Sequence, residues 1–319
     1  MSPEENQTVE YPEPRFQISD PSPLEAFAFR KIWLHALLLL ATLLTTTLVG
    51  THMQYNFDHN LPFFQVEDGI DIFLLGLRHP YMLWMGLPFS LTLLTILMAH
   101  ELGHYLACVY YGVDATLPYF LPAPTPFTGT LGAFIKIRSQ IVNKKVLFDV
   151  GVAGPVAGFV FVVPALAIGL AFSKILPGIN QQGSVQLGIP ALLMALQNLI
   201  FHGIPASDIY LHPVARAAWV GMFATALNLL PVGQLDGGHI VYALLNRSHK
   251  WITLGFLALL VPMGLLWKGW WFWAVLLFFF ARKHPPVYDS RDLGPARRQL
   301  GWLALAIFLL CFTFVPIND

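Results

Sequence analysis

The chain has 319 residues, of which 56% are hydrophobic and only 11% are charged, and its mean hydropathy is +0.61. Soluble domains are about 25% charged, so this composition excludes an ordinary soluble or disordered protein and indicates a multi-pass protein of the lipid bilayer. The formal net charge is zero, which argues against nucleic acid as a partner, and two cysteines exclude a disulfide scaffold.

The first 30 residues differ from the rest of the chain. They are polar and proline-rich, with acidic residues outnumbering basic ones. A signal peptide needs a basic start followed by an apolar core, so this segment does not fit one. We predict that 1–30 is a mostly disordered cytoplasmic tail.

Apolar runs then recur along the chain and predict an all-α polytopic membrane protein with about 6–8 transmembrane helices, since a span takes about 20 residues. A further stretch, 185–201, is predicted to be an interfacial helix. The runs are 31–49, 82–113, 148–171, 214–230 with a continuation past a proline to 245, 251–266, 270–280 and 300–315.

The lysines and arginines predict the orientation. If each run crosses and the N-terminus is cytoplasmic, all of them lie on the inside except Arg78, Lys174, Arg216 and Lys268. Cytoplasmic segments are enriched in these residues, so we expect the N-terminus inside. Seven crossings would then put the C-terminus outside.

The segment 114–146 contains four prolines, at 118, 122, 124 and 126, so no helix runs through it. Its later part alternates apolar and polar side chains, with the two-residue period of a strand. We predict a small membrane-associated β-hairpin or loop, with a plain cytoplasmic loop as the alternative.

The second apolar run contains ionisable residues, in the sequence H-E-L-G-H at 100–104. Each such residue costs roughly 2.5–3.5 kcal/mol on insertion scales, so a function is expected. On a helix, His100 and His104 share one face and suit a single zinc ion, and Glu101 beside them suits a general base. The alternative is a pair of buried histidines hydrogen-bonded to neighbouring helices.

A catalytic zinc usually takes a third protein ligand. The candidates are Asp149, Asp208 and Asp236. Asp149 fits a helix N-terminus and Asp208 an outside loop, whereas Asp236 follows a break in the fourth apolar run. The predicted topology gives Asp236 the depth of the two histidines, although D-G-G is also typical of a plain turn between spans.

Two motifs together, H-E-L-G-H at 100–104 and N-L-L-P-V-G-Q-L-D-G-G-H at 228–239, resemble the site-2 protease family of intramembrane zinc metalloproteases. The resemblance implies one zinc ion per chain, held by His100, His104 and Asp236, with Glu101 as the general base. It also implies regulated intramembrane proteolysis, in which the partner is a single-span membrane protein cut in its transmembrane segment.

The stretch 119–138 resembles a branch of that family found in plastids, cyanobacteria and other bacteria, and we expect no inserted PDZ domain. In the family a β-element near the site receives substrate as an added strand, which implies substrate binding at Gly129 and Gly132. Asn228 matches a position implicated in holding substrate, and an interhelical hydrogen bond is its alternative. The glycine-rich run 151–158 resembles the family's central helix and also suits close helix packing.

We predict four regions: the tail at 1–30, a first transmembrane helix and external loop at 31–81, the catalytic core at 82–245 and C-terminal transmembrane helices at 246–319.

The main alternative function is a proteolytically inactive zinc-binding membrane scaffold or chaperone, which would not need Glu101. A membrane protease with a glutamate as third ligand is disfavoured because no glutamate follows Glu101. A transporter is disfavoured because broken helices would be expected in both halves. The expected location is the bacterial inner membrane, and the sequence does not indicate an oligomeric state.

Overall fold

The computed structural model describes residues 32–64, 69, 71–183, 185–245, 248–280 and 293–318. The predicted tail at 1–30 lies outside the described residues. The described chain is mostly helical with short strand pairs, which confirms the predicted fold class. The division into four regions and the number of crossings stay predictions.

Helices follow one another along the described residues, linked by short strands. The helices are α1 (Ile32–Asp58), α2 (Asp71–Arg78), α3 (Leu83–Tyr110), α4 (Lys144–Ala171), α5 (Ile179–Gln182), α6 (Ala191–Ile200), α7 (Pro213–Asn228), α8 (Asp236–Leu245), α9 (His249–Met263), α10 (Gly269–Phe280) and α11 (Pro295–Cys311). The strands are β1 (Tyr119–Pro122), β2 (Thr130–Phe134), β3 (Lys174–Ile175), β4 (Gln186–Leu187), β5 (Ile209–Tyr210) and β6 (Ile317–Asn318).

Three of the described helices are long and apolar enough to cross a membrane: α1, α3 with its preceding turn from Pro80, and α4. Shorter apolar helices are α6, α9 and α10. The fourth predicted run gives α7, whose 16 residues reach about 24 Å at 1.5 Å per residue. Much of α7 is buried between its neighbours, with Ala215, Ala218 and Met222 inaccessible to solvent.

Helices α1 and α3 approach closely because small residues face each other where they cross. A Cβ atom on Gly86 would lie 2.1 Å from the Thr47 carbonyl oxygen, and one on Gly50 would lie 2.5 Å from the carbonyl oxygen of Gly86. The hydroxyl groups of Thr46 and Ser90 hydrogen-bond beside this crossing. In a bilayer the hydrophobic effect does not drive helices together, because lipid tails are as apolar as the side chains. Close backbone contact stabilises the helix pair through van der Waals attraction instead.

The fourth apolar run is interrupted, as predicted. Helix α7 ends at Asn228 and α8 begins at Asp236, with a tight turn between them. The two glycines after Asp236 are required by that turn. A Cβ on Gly237 would lie 2.0 Å from the carbonyl oxygen of Leu229, and one on Gly238 would lie 2.4 Å from that of Gly233.

The predicted β-hairpin is confirmed. Strands β1 and β2 pair antiparallel with an irregularity after Phe120. The hairpin lies against α1. Nδ1 of His35 on α1 is 3.0 Å from the carbonyl oxygen of Pro118, the residue before β1. Gly129, with φ +71°, sits so close to α1 that a Cβ would lie 2.6 Å from the Thr45 carbonyl oxygen. The hairpin is therefore fixed to the helical core.

Two local expectations differ from the structure. Helix α4 begins at Lys144, capped by the Asn143 side chain, so Asp149 lies in its second turn and not at its N-terminus. The four tryptophans at 267, 270, 271 and 273 predict an interfacial aromatic belt. Trp270 instead is fully buried, and its indole N–H donates to the Phe314 carbonyl oxygen at 2.6 Å. This hydrogen bond satisfies the polar end of the ring inside the protein.

Candidate metal centre

Two helices bring His100, His104 and Asp236 to one point. The histidines lie one turn apart on α3, and Asp236 is the first residue of α8. The Nε2 atoms of the two rings are 3.2 Å apart, and each is 3.2 Å from Oδ2 of Asp236. Both histidines are buried, and the Asp236 side chain is 15% exposed. Three potential ligand atoms therefore form a nearly equilateral triangle.

This triangle fits a tetrahedral cation. Zinc takes nitrogen and oxygen ligands at about 2.0–2.1 Å, which separates neighbouring ligand atoms in a tetrahedron by about 3.3 Å. The ligand types are also chemically suitable, because two imidazoles and one carboxylate leave the fourth position of a tetrahedral zinc ion for water. The donor set present therefore fits a catalytic zinc better than a structural one.

The orientation of His104 is set by α4. Its Nδ1 lies 2.7 Å from the backbone carbonyl oxygen of Val150. A carbonyl oxygen can only accept, so Nδ1 carries the proton and Nε2 presents its lone pair to the centre. Metal-binding histidines are commonly oriented by such a hydrogen bond.

Glycines on α4 make room for the imidazoles. A Cβ on Gly154 would lie 2.1 Å from His104 Nε2, and one on Gly158 would lie 3.2 Å from the Cβ of His100. Gly151, one turn earlier, faces the backbone of Asp236 at 3.3 Å. The glycine-rich run therefore does more than allow helices to pack, because its spacing of three and four residues lines one side of the centre.

Glu101 shares a cavity with His100. The cavity is about 150 Å³, and its wall also includes Leu131, Gly132 and Ala133 of β2 together with Asn228. Glu101 is 6% exposed, and it interacts with both histidines, with Asp236 and with the backbone amide of Ile135, just after β2. A carboxylate, the triangle of ligand atoms and a strand edge thus meet in one enclosed space.

The three residues predicted to bind substrate lie at different distances from the candidate metal centre. Asn228 Nδ2 is 3.1 Å from His100 Nε2, at the edge of the centre. Gly132 lines the cavity, whereas Gly129 packs against α1 away from it. The roles of all the predicted site residues, as ligands, base or substrate contacts, stay predictions.

The two other candidate ligands are engaged elsewhere. Asp149 accepts hydrogen bonds from Arg297, at 2.7 and 2.9 Å, and from the Tyr111 hydroxyl at 2.5 Å. Asp208 accepts from the Gly178 backbone N–H at 3.0 Å. Neither reaches the triangle formed with Asp236.

The sequence does not indicate Val150 or Arg297 as parts of this region, and it indicates Gly154 only as a member of the glycine-rich run 151–158. The glycine spacing was visible, but it equally suits close packing of helices. Every residue has a backbone carbonyl group, so the sequence does not show that the one at Val150 orients a histidine. Arg297 lies 148 residues from its partner Asp149, so their pairing depends on the tertiary fold.

The fold and the centre define an integral membrane protein with a candidate metal site, made of two histidines and one aspartate, beside a buried glutamate. The chain belongs to peptidase family M50, whose profile matches residues 88–266, and no PDZ domain match accompanies it. The family resemblance read from the two motifs is thereby confirmed.

Named relatives agree with this family. The chain is 29% identical over 329 residues to the probable zinc metalloprotease EGY1, chloroplastic, of Arabidopsis thaliana, covering 96% of this chain and 56% of that protein. It is 32% identical over 250 residues to the protein of the same name from Oryza sativa subsp. japonica, covering 73% of this chain and 41% of that one. The chain spans about half the length of the curated relatives it matches.

Zinc as the cofactor is supported by the names of these relatives and by the triangle of ligand atoms. Membrane integration is supported by the apolar helices and by the family. The relatives carry the word chloroplastic in their names, and a bacterial inner membrane for this chain stays a prediction.

Proposed function

We propose that this chain is an intramembrane zinc protease that hydrolyses a peptide bond in the transmembrane segment of a single-span membrane protein. The observation that carries the proposal is the cavity that Glu101 and His100 share with strand β2. A scaffold that holds zinc for structure needs neither a buried carboxylate at the metal nor a strand beside it.

The residues divide the chemistry between them. His100, His104 and Asp236 would hold zinc, which when bound polarises the scissile carbonyl and lowers the pKa of water. Glu101 accepts the proton of the attacking water and passes it to the leaving amine as the carbon–nitrogen bond breaks. The Val150 carbonyl keeps the His104 ring in the required tautomer.

Strand β2 supplies an edge for the substrate backbone. Among the residues that the structure describes, β2 pairs with β1 alone, and residues 131–133 line the cavity. A transmembrane helix hides its amides in internal hydrogen bonds, so it must unwind before cleavage. Pairing with the free edge of β2 would replace those bonds.

The predicted orientation is consistent with this function. With the N-terminus on the cytoplasmic side, the site opens near that face and takes water from it. This assignment depends on the distribution of lysine and arginine and is part of the proposal.

The test is cleavage of a purified single-span reporter by the purified chain in detergent. Two reporters would differ only in the transmembrane segment, one all leucine and one with a central glycine–proline pair that weakens the helix. We expect zinc-dependent cleavage, faster for the weakened helix, lost with a chelator and restored by zinc. Stoichiometric zinc with no cleavage of either reporter would favour the scaffold.

A further inference from the structure

A second cavity lies away from the metal centre, at the start of α7. It measures about 260 Å³ and is lined by Arg216, Gln186, Gln197, Ser207 and Phe63, among others. A cavity of about 10–15 Å³ holds one water molecule, so this cavity is large enough for a polyatomic ligand. It shares no lining residue with the cavity at Glu101.

Arg216 is a buried cation on the wall of this cavity. It is 3% exposed, and it forms no ion pair with an acidic residue among those the structure describes. Its Nε donates to the Leu211 carbonyl oxygen at 2.9 Å, whereas its Nη1 has no hydrogen-bond partner in the described part of the chain. A buried charge without an anion is strongly unfavourable, so a counter-charge is expected.

Aromatic rings fix the guanidinium without neutralising it. The Arg216 Cζ lies 3.8 Å from the ring centre of Phe63 and 4.8 Å from that of Tyr210. These contacts hold the guanidinium plane, and the Tyr210 hydroxyl also interacts with the guanidinium as a neutral polar group. Neither ring supplies a negative charge, and Nη1 has no hydrogen-bond partner among the described residues. Asp208 lies between the lining residues Ser207 and Ile209 in the chain, but its Oδ1 accepts from the Gly178 N–H and the Ser207 hydroxyl, and it forms no ion pair with Arg216.

The remaining polar wall suits an oxyanion. Gln197 on α6, which is 5% exposed, and Gln186 on β4 line the same cavity as Arg216, so residues with amide side chains border it. Donors on several walls fit a tetrahedral group with many acceptor oxygens better than a planar carboxylate, and arginine is suited to phosphate.

We propose that the cavity at Arg216 binds a phosphate group, either free or in the headgroup of a membrane lipid. The site is separate from the metal centre and goes beyond the proposed proteolysis. Binding there would neutralise the guanidinium and stabilise the assembly of α7, α6 and the short strands around it.

The test is thermal unfolding of the purified chain in nonionic detergent and phosphate-free buffer. Inorganic phosphate and short-chain phosphatidylglycerol would be titrated separately, with chloride at matched ionic strength. We expect a saturable rise in the unfolding midpoint with a phosphate-bearing probe and none with chloride. A response to both probes indicates free phosphate as sufficient, and a response to the lipid alone indicates the headgroup.

Variants locate the response. Arg216→Gln is expected to weaken the affinity by about tenfold or more, and Gln197→Leu by a few-fold with the arginine retained, which covers the case that the first variant does not fold. Lys174→Gln is the matched control, because this cation lies outside the cavity and should keep the full response.

Three outcomes would overturn the proposal. One is no response to either probe in the wild type, and another is an unchanged response in both cavity variants. The third is a response that appears only after Glu67→Gln and Asp68→Asn, two acids outside the described residues, because the chain would then supply the anion itself.

Discussion

The Nδ1 of His104 donates to the carbonyl oxygen of Val150 across 2.7 Å, so a backbone group of α4 sets the direction of a side chain on α3. Val150 follows Asp149, which Arg297 holds from α11. The candidate metal centre thus depends on two helices, α4 and α11, in addition to α3 and α8, which carry the residues that could touch the ion.

Replacing a candidate ligand should remove zinc. Asp236→Ala and His100→Ala each delete one corner of the triangle, so we expect the purified variants to contain far less than one zinc per chain. Metal analysis beside wild type is the measurement, with helical content as a check on folding. Stoichiometric zinc in both folded variants would show that the ion binds elsewhere.

A methyl group on Gly154 should displace His104. The added Cβ would lie 2.1 Å from Nε2, so Gly154→Ala is expected to lose zinc and to destabilise the chain by about 1–3 kcal/mol through overpacking. Gly255→Ala is the matched control, because nothing lies within 4 Å of a Cβ there and alanine favours a helix. Equal zinc content in the two variants would contradict the role of Gly154.

Arg297 should affect the metal through Asp149 and Val150. A group that hydrogen-bonds a metal ligand directly typically changes metal affinity by about 10–100-fold, and Arg297 acts one step further out, through Asp149. We therefore expect Arg297→Ala to release zinc to a chelator a few-fold faster, and Arg297→Lys to recover part of the loss. Arg138→Ala is the control, because its ion pair with Asp114 is exposed and 3.7 Å long. The idea fails if chelation rates of the Arg297 and Arg138 variants coincide.

Acid should weaken the fold at His212, in the loop before α7. Burial lowers the pKa of His212 to about 4, whereas an exposed histidine has a pKa of 6.5. Between pH 6.5 and pH 4 the unfolded chain binds the proton at His212 more tightly than the folded chain does. The contribution of His212 to the free energy of unfolding is therefore complete above about pH 6.5 and is lost as the pH falls toward 4. The loss is about 1.4 kcal/mol for each unit of difference between the two pKa values.

The structural reason is that His212 Nδ1 accepts the Val214 N–H at the start of α7, which a protonated ring cannot do. His212→Asn keeps an acceptor that does not titrate. Unfolding midpoints measured from pH 7 to pH 4.5 should therefore fall less for His212→Asn than for wild type. Parallel curves would exclude His212 as the source of the acid sensitivity.

Much of the site was predictable because its signals are local. H-E-L-G-H carries its geometry in the helical period, and the break before Asp236 is visible in Pro231 and the two glycines. The β-hairpin was predicted from prolines and alternation. The length of each helix was less predictable, since α1 continues to Asp58 beyond the apolar run through polar residues buried by its neighbours.

The contacts that orient the site could not be predicted. Val150 acts through its backbone, and the pairing of Asp149 with Arg297 depends on how α4 and α11 pack. The buried position of Trp270 also depends on packing, because a tryptophan-rich turn suits both a membrane interface and a protein interior. Sequence patterns predict which side of a helix is apolar and where the chain turns, whereas the contacts between helices depend on tertiary packing.

The most direct test of the central claim compares wild type with Glu101→Gln for reporter cleavage and zinc content in the same samples. Glutamine keeps the size of the side chain and cannot accept the proton. The account predicts about one zinc per chain in both proteins and a cleavage rate lower by about 10²–10⁴ in the variant. Cleavage at the wild-type rate by a zinc-loaded Glu101→Gln chain would contradict the assignment of Glu101 as the base.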